Sequence, residues 1–154
     1  MAAESAETLV VDASVAVKWH LADEEYEDEA TLLIKRFAQG QVELVAPEQI
    51  RYEVPSAITV AARGRKPRIT RRQGEEAIAE FLNLGITTAG DSELILSAYA
   101  LVHQHGCALC DALYLALAER LATQFITADR KLYQMIRDLP YVLWIGDYPL
   151  RQSD

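Results

Sequence analysis

Four acidic residues, Asp12, Glu53, Asp111 and Asp129, carry the chemistry this chain advertises. Three sit in local patterns that place them at strand ends or helix starts: Val-Val-Asp12-Ala-Ser, Cys-Asp111-Ala-Leu-Tyr-Leu-Ala-Leu-Ala-Glu and Phe-Ile-Thr-Ala-Asp129. Carboxylates gathered at one point repel, and a like-charge pair about 4 Å apart costs about 4 kcal/mol at an effective dielectric near 20. A cation must offset that repulsion. Oxygen-only ligands without a paired histidine suit Mg²⁺ or Mn²⁺ better than Zn²⁺. Each acid also has a purely structural reading. Asp12, Asp111 and Asp129 can cap helices, and Glu53 can face solvent on one. It is the set of four, with three at one sheet end, that favours a shared metal site.

The elements that position these acids follow from hydrophobic periodicity. Thr8 to Val11 reads as a buried strand ending at Asp12, followed by a short helix from Ser14 to His20. A helix is expected from about Glu25 to Ala38, stopped by Gly40, and a second strand over Val42 to Val45. Pro47 opens a helix that reaches Gly64, contains Glu53 and should kink at Pro55. Thr70 caps a helix to Leu84. Ile86 to Ala89 is a strand, and Asp91 to His105 a helix ended by Gly106. Asp111 to Ala122 is apolar on nearly every side, as a helix buried between layers would be, and it leads into the strand Phe125 to Thr127. A last helix runs to Arg137 and a fifth strand covers Tyr141 to Ile145. Strands alternating with crossover helices predict a three-layer α/β/α sandwich with a mainly parallel five-stranded sheet. In such sheets ligands gather at the carboxyl ends of the strands, where three of the acids fall. The expected organisation is an extension over residues 1–7, one domain over 8–147 and a tail over 148–154.

Composition limits the rest. A chain of 154 residues that is 51% hydrophobic can bury about 70% of its unfolded surface and needs no disulfide to fold. Cys107 and Cys110 form a lone pair of cysteines where a structural zinc site takes four ligands, so they read as small apolar residues at a helix start. The acidic N-terminus lacks the apolar core of a signal peptide, and no apolar run approaches the roughly 18 residues of a membrane span. A reducing cytoplasm is the expected location. The net charge of −8 argues against nucleic-acid adhesion by the whole surface, yet the charge is uneven. Residues 23–29 hold six acids in seven positions, which reads as a solvated face, and residues 63–72 hold six of the fifteen basic residues. Arg63, Arg65, Lys66 and Arg68 in that loop could supply the phosphate contacts that the rest of the domain lacks.

In order and over Val10 to about Trp144, these motifs resemble the PIN domains, and within them the VapC-like toxins of prokaryotic toxin–antitoxin pairs. Val-Val-Asp12-Ala-Ser-Val-Ala-Val-Lys-Trp looks like the family's first acidic motif and Ala-Pro-Glu-Gln-Ile-Arg-Tyr-Glu53-Val like its second. Cys-Asp111-Ala-Leu-Tyr-Leu-Ala-Leu-Ala-Glu looks like the third, and Phe-Ile-Thr127-Ala-Asp129 like the last. Ser56 stands where the family often has asparagine, Pro55 is unusual inside that helix, and Cys110 replaces a commonly larger residue. The resemblance implies a metal-dependent ribonuclease that uses water as nucleophile, with Asp12, Glu53, Asp111 and Asp129 around Mg²⁺ or Mn²⁺. Ser14 and Thr127 would orient a carboxylate or a water, or cap adjacent helices. It also implies a homodimer held inactive by a cognate antitoxin; Trp19, Tyr26 and Phe37 could serve such contacts or face the core. Two rivals stay open. One is a silent RNA- or protein-binding module on the same fold. The other is a haloacid dehalogenase-type phosphatase, which needs a second aspartate where this chain has Ser14.

Overall fold

The computed structural model describes residues 6–149. Five strands, β1 (Glu7–Val11), β2 (Val42–Pro47), β3 (Thr87–Ala89), β4 (Gln124–Thr127) and β5 (Val142–Trp144), pair in parallel in the order β3-β2-β1-β4-β5. The central strand β1 places Leu9, Val10 and Val11 consecutively in full burial, so both faces of the sheet are covered, as a parallel sheet requires. Between the strands run α1 (Ala13–Ala16), α2 (Glu27–Ala38), α3 (Ile50–Ala61), α4 (Arg71–Leu82), α5 (Ser92–His105), α6 (Leu109–Leu121) and α7 (Arg130–Ile136). The chain steps from β1 to β2 to β3 in one direction and then crosses back to β4. Right-handed crossovers therefore put α1 to α4 on one face and α5 and α6 on the other. The expected three-layer α/β/α sandwich with a parallel five-stranded sheet is the observed fold.

Several boundaries shift for local reasons. The first short helix is one α turn followed by a 3-10 turn over Val17–Trp19. Pro47 ends β2 and does not open a helix, because the strand pairs with Ala89 at that point. The helix starts three residues later and continues unbroken through Pro55. Asp111 lies in the first turn of α6, which begins at Leu109. Asp91 caps α5, its side chain accepting from the Leu94 N–H at 2.8 Å. Thr70 forms a reciprocal capping box with Gln73, the most complete start signal among the described residues. Trp19, Tyr26 and Phe37 all pack partly buried against the core. The core reaches the buried Tyr148, whose hydroxyl accepts a hydrogen bond from Arg36 Nη1 at 3.0 Å.

Candidate active site

Asp12 is the first residue after β1, and its N–H extends the ladder by donating to the Ile126 carbonyl at 3.0 Å. It lies at the topological switch point: the chain leaves β1 toward β2 and leaves β4 toward β5, so the two loops diverge and open a crevice. Asp12 is 7% exposed. Its Oδ2 accepts hydrogen bonds from Ser14 Oγ and Thr127 Oγ1, both at 2.7 Å. Each hydroxyl is fixed in turn by the loop after β4. The Ala128 N–H donates to Ser14 Oγ at 2.9 Å, and the Asp129 N–H donates to Thr127 Oγ1 at 3.1 Å. Asp12 does not cap α1 with its side chain. Burial pushes its pKa from 3.8 to about 6; the two hydroxyls pull it down, and the charges of Glu53 and Asp111 push it further up.

Glu53 reaches the same end of the sheet because α3 follows β2, and it sits in the first turn of that helix. Tyr114, buried on α6, donates its hydroxyl to Glu53 Oε1 at 2.9 Å. Gln49 Nε2 donates to the Cys110 carbonyl at 2.6 Å, tying the start of α3 to the start of α6. Burial raises the Glu53 pKa, hydrogen bonds from Tyr114 and Gln49 lower it, and Asp111 raises it. Asp111 arrives from the opposite face. Because α6 runs back toward the amino end of β4, its own N-terminus lies over the carboxyl end. Burial raises Asp111 first, and the charge of Asp129 adds to that. Asp129 caps α7, accepting from the Leu132 N–H at 3.1 Å, so its structural reading is realised whatever else it does.

The four acids thus act on one another in a chain, Asp12 with Glu53 and Asp111, and Asp111 with Asp129. Among the described residues none of them pairs with a lysine or arginine. No three histidine, cysteine or acidic side chains among the described residues form a preassembled ion cage. The donor set still fits a hard divalent cation. Mg²⁺ keeps several of its waters and is commonly held by only one or two carboxylates. Here a buried, desolvated carboxylate with Oδ2 saturated sits among uncompensated negative charges.

The basic loop lies elsewhere. Arg63, Arg65, Lys66 and Arg68 are exposed beyond the far end of α3, about 12 Å along that helix from Glu53. Arg68 donates to the Ala22 carbonyl and to Glu24 Oε2, each at 2.9 Å, so part of the acidic run is occupied in ion pairs and is not simply a solvated face. Cys107 is buried and Cys110 exposed; burial pushes both thiols above their ordinary pKa, away from thiolate chemistry. Sequence reasoning assigned no role to Tyr114 and Gln49. The signal for Tyr114 was its place three residues after Asp111, on the same helix face.

Comparison with known proteins agrees with this fold. No curated protein matches the chain. Among solved structures, PAE2754 from Pyrobaculum aerophilum superposes with a TM-score of 0.64 at 18% identity, covering 97% of this chain and 98% of its own. A toxin–antitoxin complex from Klebsiella pneumoniae gives 0.61 at 16% identity, with 88% and 95% covered. VapC20 from Mycobacterium tuberculosis, described as a Sarcin-Ricin loop cleaving toxin, gives 0.56 at 16% identity, with 75% and 85% covered. The family model for the PIN domain matches residues 9–137, which span all four acids. The chain belongs to the PIN domain family.

Proposed function

We propose that this protein is a metal-dependent endoribonuclease that hydrolyses RNA phosphodiester bonds, the toxin of a VapBC-type toxin–antitoxin pair. The observation that carries the reading is the Asp12 carboxylate, buried at the switch point with Glu53 and Asp111 acting on it and, among the described residues, no cationic side chain beside it. Asp12, Asp111, Glu53 and Asp129 are the residues to hold Mg²⁺ or Mn²⁺. A bound divalent cation supplies Lewis acidity toward the phosphodiester and a more acidic water. Ser14 and Thr127 fix the Asp12 side chain through one oxygen. A carboxylate of this set that does not bind the cation directly is placed to take up the proton of the attacking water. The exposed Arg63, Arg65 and Lys66 are the proposed phosphate contacts.

The proposed partners are an RNA substrate, a cognate antitoxin and a second copy of the chain. Support for a protein partner comes from large apolar side chains left in solvent, with Tyr52 75%, Leu96 70% and Tyr99 59% exposed. The Klebsiella structure is itself a toxin–antitoxin complex. Among the described residues no helix is long and apolar enough to cross a membrane. The test is cleavage of a mixed RNA pool by wild type and Asp12→Asn with Mg²⁺, Mn²⁺ or EDTA. Cutting by metal-loaded wild type alone supports the proposal. Metal binding without cleavage of any RNA, including ribosomal RNA, replaces it with a silent binding module.

A further inference from the structure

At the carboxyl ends of β4 and β5, beside the acids, three aromatic side chains and an arginine form a cluster that the hydrolytic chemistry does not use. Trp144 ends β5 and is the register partner of Thr127, whose hydroxyl holds Asp12. Tyr26 meets the Trp144 ring edge-on with centroids 5.6 Å apart, and Tyr133 of α7 lies against it at 5.2 Å. Arg130 directly follows Asp129, and its guanidinium stands 5.4 Å over Trp144 and 5.7 Å over Tyr26. Glu25 Oε2 and the Tyr26 hydroxyl accept from Arg130 Nη2 at 2.8 and 3.3 Å.

Two features of the backbone serve this cluster. Tyr26 adopts a left-handed conformation, φ 59° and ψ 32°, that non-glycine residues seldom occupy and that is retained where the surroundings enforce it. At Gly146 an added Cβ would lie 2.8 Å from Trp144 Nε1 and 3.0 Å from Tyr26 Cε1, so a side chain there is incompatible with the present packing of the two rings. The assembly is not closed over. With rings on one side, the Arg130 side chain remains 62% exposed, and its partner Glu25 is 73% exposed. An ion pair so open to water is screened and exchanges readily.

We propose that Arg130, backed by Tyr26 and Trp144, is a stacking platform for one unpaired RNA base adjoining the phosphate at the acidic site. The proposal rests on the nuclease reading and adds to it a base-contacting side chain beside the acids. Unpaired bases stack on aromatic rings and on guanidinium planes, whereas bases inside an A-form duplex are already stacked on one another. The Arg130 guanidinium is lodged against two rings that stand edge-on to each other, which limits its motion before a base arrives, and its exposed hydrogen bond to Glu25 is one that a phosphate or base can replace.

The test uses the full chain with Trp19→Phe, which leaves Trp144 as its single tryptophan, titrated in EDTA with a short oligouridylate, the same strand made abasic, and a duplex. Anisotropy of labelled oligouridylate on the otherwise native chain gives the same binding without relying on that background. The expected result is quenching of Trp144 by the oligouridylate alone, and binding about tenfold weaker in Arg130→Ala, as removal of one stacked base predicts. Oligouridylate that binds without quenching, or equally well to Arg130→Ala, overturns the platform while leaving RNA cleavage by the acids untouched. Quenching and Arg130 dependence in a protein that cleaves no RNA under any metal upholds the platform and removes the nuclease reading instead.

Discussion

Replacing Asp12 with asparagine should make the metal-free protein more stable, an unusual outcome for a buried polar position. The carboxylate titrates at about 6 in the fold against 3.8 for the free group. A pKa raised by folding contributes stability that is complete below about pH 4 and lost as pH rises through 6. One pKa unit corresponds to about 1.4 kcal/mol, so holding the charge at neutral pH costs about 3 kcal/mol. Asparagine keeps an oxygen to accept from Ser14 and Thr127 and carries no charge. In a chain of 154 residues each kcal/mol moves the melting midpoint by about 2–4 °C, so Asp12→Asn should melt about 6–12 °C higher in EDTA at neutral pH. The gap should close near pH 4, where wild-type Asp12 is protonated. Saturating Mn²⁺ should act in the opposite sense: at about 100 times its dissociation constant it adds about 2.7 kcal/mol to wild type and little to the variant. Calorimetric melts at the two pH values, with and without metal, decide the matter. A variant less stable than wild type at neutral pH in EDTA, or a gap independent of pH, would refute the electrostatic account of Asp12.

Tyr114→Phe should lose about 1.5 kcal/mol, raise the Glu53 pKa further and weaken Mn²⁺ binding, because the buried hydroxyl is the donor that favours ionised Glu53. Unfolding and metal titration check this, and wild-type affinity in both would remove Tyr114 from the site. Gly146→Ala should destabilise by about 1–3 kcal/mol by overpacking Trp144 and Tyr26, which a denaturant midpoint reads directly; a neutral result would mean that the rings shift freely. Neutralising Arg63, Arg65 and Lys66 should weaken RNA binding uniformly across sequences and flatten the salt dependence by about 0.7 for each phosphate no longer neutralised. An unchanged slope would return that loop to a solvated surface.

Much of this molecule is local information. The apolar run into Asp12, the cap at Thr70, the stop at Gly106 and the alternation of strand and helix are each written within a few residues, so the layers and the parallel sheet follow from the sequence. The same holds for acids at strand ends. What no local pattern encodes is the strand order that brings β4 beside β1. Only that adjacency lets the Thr127 hydroxyl bond Asp12 across 115 residues, and only the return of α6 over the sheet lets Tyr114 hold Glu53 across 61. The place of the basic loop is also tertiary: its charge is local, but the length and direction of α3 set it about 12 Å along that helix from Glu53. Burial is likewise decided by tertiary structure. An aspartate in the sequence is an ordinary acid; enclosed at the switch point beside Glu53 and Asp111, it becomes a charge that the fold holds at a cost and that a cation can relieve.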